Sequence, residues 1–473
     1  MTAHSFKTLL SVGVAGLTLA ACAVGPRAPE AALPSSAAGS FVSVPASTAV
    51  TTAEARNDWW RLYNDPVLDG LIGQAFAENN QLKAAEANLR AVRASLSEAR
   101  AGRLPTTGLS ASASRSQGSA ATGGTGAQPP EVDVYDVGLD ASYEIDLFGR
   151  VGSSIRAARA DADAQAAALD VIRVTVAAET ARAYADACSA NAQIAVAERT
   201  LGLQQNTADL TQRLLEGGAG TVRDTARAQT ALATTLATLL SLRAARYGAL
   251  YRLATLTGST PVEASDAARS CARPPQLSQP IPIGDGAALL ARRPDVRQAE
   301  RALAAASARV NVATASLYPS ISLGGSFGST ALDGSDLGKD ENYRFSFGPL
   351  ISWSFPNIAV ARARIAQTGA LTDAALATFD QTVLTALQET ETALTNYANE
   401  LDRRTALTEA RDQAATAARL SRLRFDAGAD NFLTVLDSER TLAGADAALA
   451  QSDALVTTYQ IALFKALAGG WEA

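Results

Sequence analysis

The sequence predicts a mixed α/β membrane protein made of two copies of one unit, each with two amphipathic strands followed by a long helical hairpin. The first observation is an internal repeat, because the residues around Pro105 recur around Pro319 at an offset of about 210 to 214 residues. The second is that no proline occurs between Pro130 and Pro261, or after Pro356. Since proline breaks helices, these two stretches can hold long helices.

The first proline-free stretch carries a seam of small residues, spaced alternately by three and four positions. The seam consists of Ala157, Ala160, Ala164, Ala167, Val171, Val174, Ala178, Ala181, Ala185, Cys188 and Ala192. This spacing is that of a coiled coil whose small residues let helices approach closely. The alternative is coincidence in an alanine-rich chain. A helix from Arg150 to about Leu214 would be about 100 Å long, longer than an ordinary globular core.

Two segments of alternating polar and apolar residues precede each helical stretch. They cover about 106–115 and 134–147 in the first repeat, and about 317–328 and 343–355 in the second. Strands of about ten residues with one apolar and one polar face fit a transmembrane barrel, with lipid outside and water inside. They also fit a half-buried sheet of a water-soluble domain, which the strands taken alone would favour.

The N-terminus predicts export from the cytoplasm. Lys7 is followed by a short apolar run that ends in Leu19-Ala20-Ala21-Cys22, so we expect a signal peptide at 1–21. The cysteine resembles that of a bacterial lipobox, which predicts lipidation of Cys22, although a chance cysteine is the alternative. In the lipoprotein pattern, an aspartate after that cysteine retains the protein in the inner membrane. Ala23 stands at this position here, so the resemblance implies an outer-membrane destination. No later segment is apolar for long enough to span a bilayer as a helix, so strands would have to make any crossing.

The composition gives no reason to expect an enzyme, a cofactor or nucleic-acid binding. Of the 473 residues 5% are aromatic and the net charge is −6, which does not suit a nucleic-acid partner. The only histidine, His4, lies in the predicted signal peptide. The mature chain would therefore lack a histidine base or a histidine metal ligand. Glu144 and Asp146 alternate along one strand, and we interpret them as lining a wet interior.

Five strings resemble the TolC family of outer-membrane efflux lipoproteins, in the NodT/OprM branch of RND tripartite efflux systems. They are WWRLYNDP (59–66), EIDLFGR (144–150), LARRPDV (290–296), LYPSISL (317–323) and FKALAGGWE (464–472). They follow one another in order over almost the whole mature chain. One departure is Phe355-Pro356-Asn357, where the family has a phenylalanine and two glycines.

The resemblance implies a homotrimer whose chains together close a 12-stranded outer-membrane β-barrel, continued by a helical coiled-coil tunnel into the periplasm. Four strands per chain cannot close a barrel alone, since bacterial barrels begin at about eight strands. The implied function is the outer-membrane channel of a tripartite efflux pump, which passively conducts drugs or other small toxic compounds. The implied partners are outer-membrane lipid, a periplasmic adaptor and an inner-membrane RND-type transporter.

Glycine-rich breaks place the tips of the two helical hairpins. The breaks cover about 215–224 and 426–437, and each pairs a helix-stop signal with a helix-start signal. We interpret them as adaptor contacts, with an ordinary partnerless turn as the alternative. The residues of the predicted tips are Gly217, Gly218, Gly220, Asp224, Arg227, Gly428 and Asp430.

The resemblance also assigns a constriction at the closed periplasmic mouth. Leu433 and Asp437 match the positions that form a leucine ring and an acidic ring in the family. Three like charges at close range need compensation, which Arg227 or Arg440 would supply.

Cys188 and Cys271 are predicted to form a disulfide. Counted as helix from the tip at Gly218, Cys188 lies about 45 Å above it, and the returning helix ends about 55 Å above it. A flexible linker from Ser259 can bring Cys271 back to that height. The alternative is a buried free thiol at Cys188.

The expected domain order begins with the signal peptide and a lipidated tail at 22–58. Repeat 1 covers 59–258 with its hairpin at 149–258, a linker covers 259–286, and repeat 2 covers 287–473 with its hairpin at 357–468. Other functions remain open: a channel of the same fold for metal ions or secreted proteins, and a non-conducting coiled-coil lipoprotein that spaces membranes. A periplasmic hydrolase is disfavoured by the missing histidine.

Overall fold

The computed structural model describes residues 24–468, apart from 28, 30, 35–36, 38, 44–48, 122–127, 278 and 354–356. The predicted signal peptide and Cys22 lie outside the described residues. So do Phe355 and Pro356 of the departure from the family pattern, and the last residues, 469–472, of the C-terminal string.

The helices and strands follow the order that the repeat predicts. The strands are β1 (Val50–Thr51), β2 (Thr106–Ser116), β3 (Val132–Ile145), β4 (Ile281–Pro282), β5 (Ser320–Ala331) and β6 (Tyr343–Ser352). The helices are α1 (Pro66–Glu78), α2 (Asn80–Ala101), α3 (Arg150–Glu216), α4 (Val222–Leu256), α5 (Asp266–Arg269), α6 (Gly286–Arg292), α7 (Pro294–Ala315), α8 (Ile358–Asp426) and α9 (Phe432–Ala466). Short 3-10 turns lie at Trp59–Tyr63, Pro261–Glu263, Gly334–Asp336 and Asp340–Asn342.

The chain divides into two compact units. The strand unit holds 89–165 and 299–379 with the described residues up to Ala31, and the hairpin unit holds 32–88, 166–298 and the described residues from Asp380 onward. The long helices α3 and α8 contribute residues to both units. Most members of the predicted small-residue seam on α3 are buried.

The strand unit is built on a four-stranded antiparallel sheet in the order β2-β3-β5-β6. Strand β5 lies three residues later than its predicted range, because the chain after α7 first makes a turn in which the Tyr318 N–H donates to the Ala315 carbonyl. Strand β3 ends at Ile145, two residues early, because Asp146 caps α3: its carboxylate accepts from the Val151 and Gly152 N–H groups, at 2.9 and 2.6 Å.

The two faces of this sheet differ sharply in polarity. One cross-strand row consists of Leu109, Leu139, Phe327 and Phe345, with exposed fractions of 80%, 50%, 55% and 84%. The neighbouring row, on the other face, consists of Ser110, Gly138, Gly328 and Arg344. A large apolar face that stays exposed does not suit a half-buried sheet in water, and it suits contact with lipid.

The junction between β3 and α3 brings two of the family strings together. The Phe148 ring stacks on the Tyr318 ring with centroids 4.7 Å apart. Arg150, the first residue of α3, forms an ion pair with Glu144 near the end of β3. The EIDLFGR and LYPSISL strings therefore hold the point where strand becomes helix.

The hairpin unit has an aromatic core supplied by two other strings. Trp59 is fully buried and stacks on Phe464, with centroids 4.8 Å apart. Asp65 caps α1 by accepting from the Val67 N–H at 2.9 Å, and its second oxygen accepts from the Tyr184 hydroxyl at 2.9 Å. Residues from the start and end of the chain thus meet in one core.

The linker between the repeats is more ordered than the flexible segment that the sequence predicts. It contains a 3-10 turn, in which Thr260 and Glu263 form a capping box, and the short helix α5. Strand β4 pairs in parallel with β1 of the N-terminal tail. The backbone polar groups of a tail and a linker need partners, and here they satisfy each other.

Among the described residues, no helix is both long enough and apolar enough to cross a membrane.

Candidate functional site

The two hairpin tips share one backbone turn. Gly218 and Gly428 both adopt φ +73°, a left-handed conformation that favours glycine after a helix. The Ala219 N–H donates to the Leu214 carbonyl at 2.8 Å, and in the second tip Ala429 does the same to Arg424, also at 2.8 Å. The structure therefore places both turns within the segments that the glycine pattern predicts.

Each following helix begins with a side-chain cap. The Asp224 N–H donates to the Thr221 hydroxyl at 3.3 Å in the first tip. In the second tip the Thr434 N–H donates to the Asn431 side-chain oxygen at 3.1 Å. Threonine and asparagine are preferred caps because their side chains satisfy N–H groups that the helix leaves free.

In the second tip an ion pair spans the turn. The Arg424 guanidinium donates to both oxygens of Asp430, at 2.8 and 3.0 Å. These hydrogen bonds, together with the arginine charge, lower the pKa of the Asp430 carboxyl below its ordinary value. The rings of Phe425 and Phe432 also meet edge to face, with centroids 5.7 Å apart.

The predicted constriction residues line a groove between α4 and α9, above the tips. Leu433 and Asp437 lie on α9 in this groove, whose volume is about 750 Å³. The facing residues of α4 include Arg223 and Arg227, and α9 adds Arg440. The structure therefore brings Asp437 together with both arginines that could compensate its charge. Sequence reasoning missed Arg223, which the equivalence of the two repeats could have revealed.

A buried carboxylate joins the two repeats just behind this groove. The Glu439 side chain is 9% exposed. It accepts a hydrogen bond from the Thr207 hydroxyl at 3.0 Å and another from the Arg422 guanidinium at 2.6 Å. Thr207 belongs to the first hairpin, whereas Arg422 and Glu439 belong to the second. No sequence signal predicts this contact, because 232 residues separate its two sides.

The LARRPDV string forms a buried ionic contact in the hairpin unit. The Arg293 side chain, 8% exposed, lies 2.7 Å from carboxylate oxygens of both Asp295 and Glu389. It also donates to the Ala466 carbonyl at 3.0 Å, at the end of α9, where a cation is favoured by the helix dipole. The LARRPDV string therefore has a structural role. So has WWRLYNDP, because its Asp65 accepts a hydrogen bond from Tyr184 on α3. Burial and this hydrogen bond raise the pKa of Tyr184.

Cys188 and Cys271 are joined by a disulfide, with their Cα atoms 5.0 Å apart. Cys188 is fully buried on α3. The Asn191 side-chain amide donates to the Cys271 carbonyl at 2.7 Å and to the Arg269 carbonyl at 3.0 Å. Bridge and hydrogen bonds together fix the linker to the first hairpin.

Within the described part of the chain, no group of three or more His, Cys, Asp or Glu side chains could hold a metal ion.

A family model described as "Outer membrane efflux protein" matches the chain twice, over residues 71–259 and 287–469. The chain is 30% identical to the pyoverdine export outer membrane protein OpmQ of Pseudomonas aeruginosa, over 98% of this chain and 97% of that protein. It is also 30% identical to the toluene efflux pump outer membrane protein TtgC of Pseudomonas putida, over 98% of this chain and 96% of that one.

Among solved structures, the outer-membrane channel OprN is 35% identical and superimposes with a TM-score of 0.89, over 96% of this chain and all of the other.

Proposed function

Because this chain belongs to the outer membrane efflux protein family, we propose that three copies of it close one twelve-stranded barrel. Strands β2 and β6 are the edges of the four-stranded sheet, and neither has a further partner strand among the described residues. Exposed edges invite pairing with another chain. Three sheets joined edge to edge would pair the backbone N–H and C=O groups of these edges. The resulting barrel would be wide enough for a water-filled interior, whereas a barrel of about eight strands is filled by its own side chains.

The chain is the outer-membrane channel of an efflux pump. The observation that carries this conclusion is the sheet with one exposed apolar face and one polar face, connected at both long helices to a hairpin. We propose that conduction is passive, with solutes moving through the barrel and the hairpin tunnel to the exterior. The energy would come from an inner-membrane RND-type transporter, coupled through a periplasmic adaptor that contacts the tips.

The proposed cargo is drugs or other small toxic compounds. One relative is named for export of pyoverdine and another for efflux of toluene. Members of one family are thus named for different compounds.

We propose that Leu433 and Asp437 form the narrowest point at the periplasmic end. Both line the groove above the tips, where one residue of each kind per chain would be tripled by symmetry. Asp437 makes no ion pair with any described residue. Its charge is therefore open to passing solutes.

Single-channel recording of the purified trimer in a planar bilayer tests the constriction. We expect Asp437→Ala to raise the conductance, because it removes one carboxylate per chain from the proposed narrowest point. Asp402→Ala is the matched control, since Asp402 is exposed on α8 and does not line the groove. Unchanged conductance in Asp437→Ala would place the constriction elsewhere, with Asp224 and Asp430 as the next candidates. A trimer without any conductance would overturn the channel proposal itself.

We also propose that Cys22 carries the lipid anchor. Two or more acyl chains would hold the protein firmly, because one chain alone binds membranes only marginally. Mass spectrometry of the mature N-terminus should show an acylated cysteine as the first residue. An unmodified Cys22, or a mature chain that starts elsewhere, would contradict this.

A further inference from the structure

We propose that the groove between α4 and α9 is a cationic site that favours organic anions at the periplasmic end of the channel. The proposal rests on the proposed function, because it assumes that solutes pass Leu433 and Asp437. The proposal adds the class of solute that the groove favours. The constriction at Leu433 and Asp437 does not by itself identify that class.

The internal repeat explains why the groove carries positive charge. At the offset of the two tip glycines, Arg223 is the counterpart of Leu433, and Arg227 is the counterpart of Asp437. Because α4 and α9 both begin directly after a tip, these equivalent positions lie in the same groove. The first repeat therefore places two arginines where the second places a leucine and a carboxylate.

The positive charges of the groove outnumber the negative ones. Three lining residues are arginines, Arg223, Arg227 and Arg440, and Asp437 is the one carboxylate among the lining residues. Arg223 lies 3.9 Å from Asp224. Arg227 and Arg440 have no ion-pair partner among the described residues.

Three other carboxylates near the tips are paired with arginines. Asp430 is held by Arg424, and Glu439 is held by Arg422. On α9 Asp446 is held by Arg411. The opposite charges of each pair cancel each other, so these carboxylates do not neutralise Arg227 and Arg440. The charges of those two arginines remain available to a solute.

A second observation points to a ligand in the groove. Gln204 on α3 lines it, the residue is 2% exposed, and its side-chain oxygen has no hydrogen-bond partner. A buried polar atom without a partner is costly unless something else satisfies it. A solute that brings a hydrogen-bond donor would do so, while Leu433 and Leu436 provide apolar contact.

The chemistry of this lining fits an organic anion that also carries a hydrogen-bond donor. Arginine guanidinium groups bind carboxylates and phosphates in a planar, bidentate manner. Citrate is a suitable probe because it combines carboxylates with a hydroxyl group. Spermidine, a polyvalent cation, is the matched probe of opposite charge.

Ion selectivity is the first test. The wild-type trimer is placed in a planar bilayer under a KCl gradient, and the reversal potential is measured at low and at high salt. We expect chloride to be favoured over potassium, and the preference to fade at high salt, where the Debye length falls to about 3 Å. Arg227→Gln and Arg440→Gln should each reduce the preference, and the double variant should reverse it.

Block of the current is the second test. Citrate added at the tip side should block the wild-type channel at lower concentration than spermidine does, and the Arg227→Gln/Arg440→Gln variant should lose this block. The Arg227→Lys/Arg440→Lys variant keeps the charge and should retain chloride preference, which separates charge from misfolding. Arg419→Gln is the matched control, because Arg419 is exposed near the second tip but does not line the groove.

The outcomes separate this inference from the channel proposal. A conducting wild-type trimer that favours potassium, with selectivity that the arginine variants leave unchanged, would overturn the anion site and leave the channel standing. Equal block by citrate and spermidine would also overturn it. A trimer that conducts nothing would overturn the channel proposal instead.

Discussion

The two hairpin tips have the same backbone and are held by different means. The first tip has Leu214 and Gly220 at the positions where the second has Arg424 and Asp430. In the first tip, a Cβ on Gly220 would lie 2.9 Å from the Leu215 nitrogen, so close packing of the backbone shapes the turn. In the second tip, a bidentate ion pair spans the turn.

This difference shows what a duplicated unit keeps and what it changes. The left-handed glycine and the helix caps are kept in both tips, because each stabilises the turn or the start of the following helix. The side chains that face the groove are free to diverge, and they have diverged in charge. One hairpin supplies Arg223 and Arg227, and the other supplies Leu433 and Asp437.

The disulfide distinguishes the hairpins most strongly, since only the first hairpin carries it. It joins Cys188 and Cys271, which are 83 positions apart in the sequence. Loss of such a bridge costs about 2–4 kcal/mol of stability. We expect Cys188→Ala/Cys271→Ala to lower the urea midpoint of the detergent-solubilised protein. Thiol counting on denatured, unreduced protein should find neither cysteine free; two free thiols would contradict the bridge.

Glu439 tests whether the two hairpins depend on each other. Glu439→Ala would leave Thr207 and Arg422 without their shared partner, at a cost of about 1–3 kcal/mol. Hydrogen exchange should rise in both hairpins near the tips, because the contact joins the repeats. Glu409→Ala, at an exposed position on α8, is the control. Faster exchange in the second hairpin alone would show that the link does not couple them.

The glycines test whether the turns are equivalent. Gly218→Ala and Gly428→Ala should each cost about 1–2 kcal/mol, because both force an alanine into the left-handed region and neither Cβ meets a neighbour within 4 Å. Gly220→Ala should disturb the first tip at least as much, through its overlap with backbone. Limited proteolysis at the two tips measures this, and unequal effects of Gly218→Ala and Gly428→Ala would break the equivalence.

The ion pair predicts a small, pH-dependent difference between the tips. Arg424 lowers the pKa of Asp430, so the stabilisation is complete above the ordinary carboxyl pKa of about 4 and is lost as the pH falls through the lowered value. Acid should therefore loosen the second tip more than the first. Hydrogen exchange across this range measures the effect, and Asp430→Asn should abolish the difference. An equal response of both tips would contradict it.

The sequence by itself determined the architecture of the chain. Proline placement and alternation are local patterns, so they predicted the long helices, the strand pairs and the glycine turns within a few residues. The predicted bounds of β3 and β5 were wrong by two or three residues at junctions between strand and helix. There, Asp146 caps α3 and a turn precedes Ser320, and both override the alternation of polar and apolar residues. Lipidation of Cys22 stays a prediction, because that residue lies outside the described part of the chain.

The tertiary structure decided most contacts between distant residues, although the sequence predicted the Cys188–Cys271 bridge and the approach of Arg227 or Arg440 to Asp437. No pattern in the sequence predicts that the Thr207 hydroxyl donates to Glu439, because the two residues belong to different repeats. The ordered linker likewise depends on β4 meeting β1 of the N-terminal tail. Charge and burial in this protein are set where separate helices pack together, and packing between segments hundreds of residues apart leaves no periodic trace in the sequence.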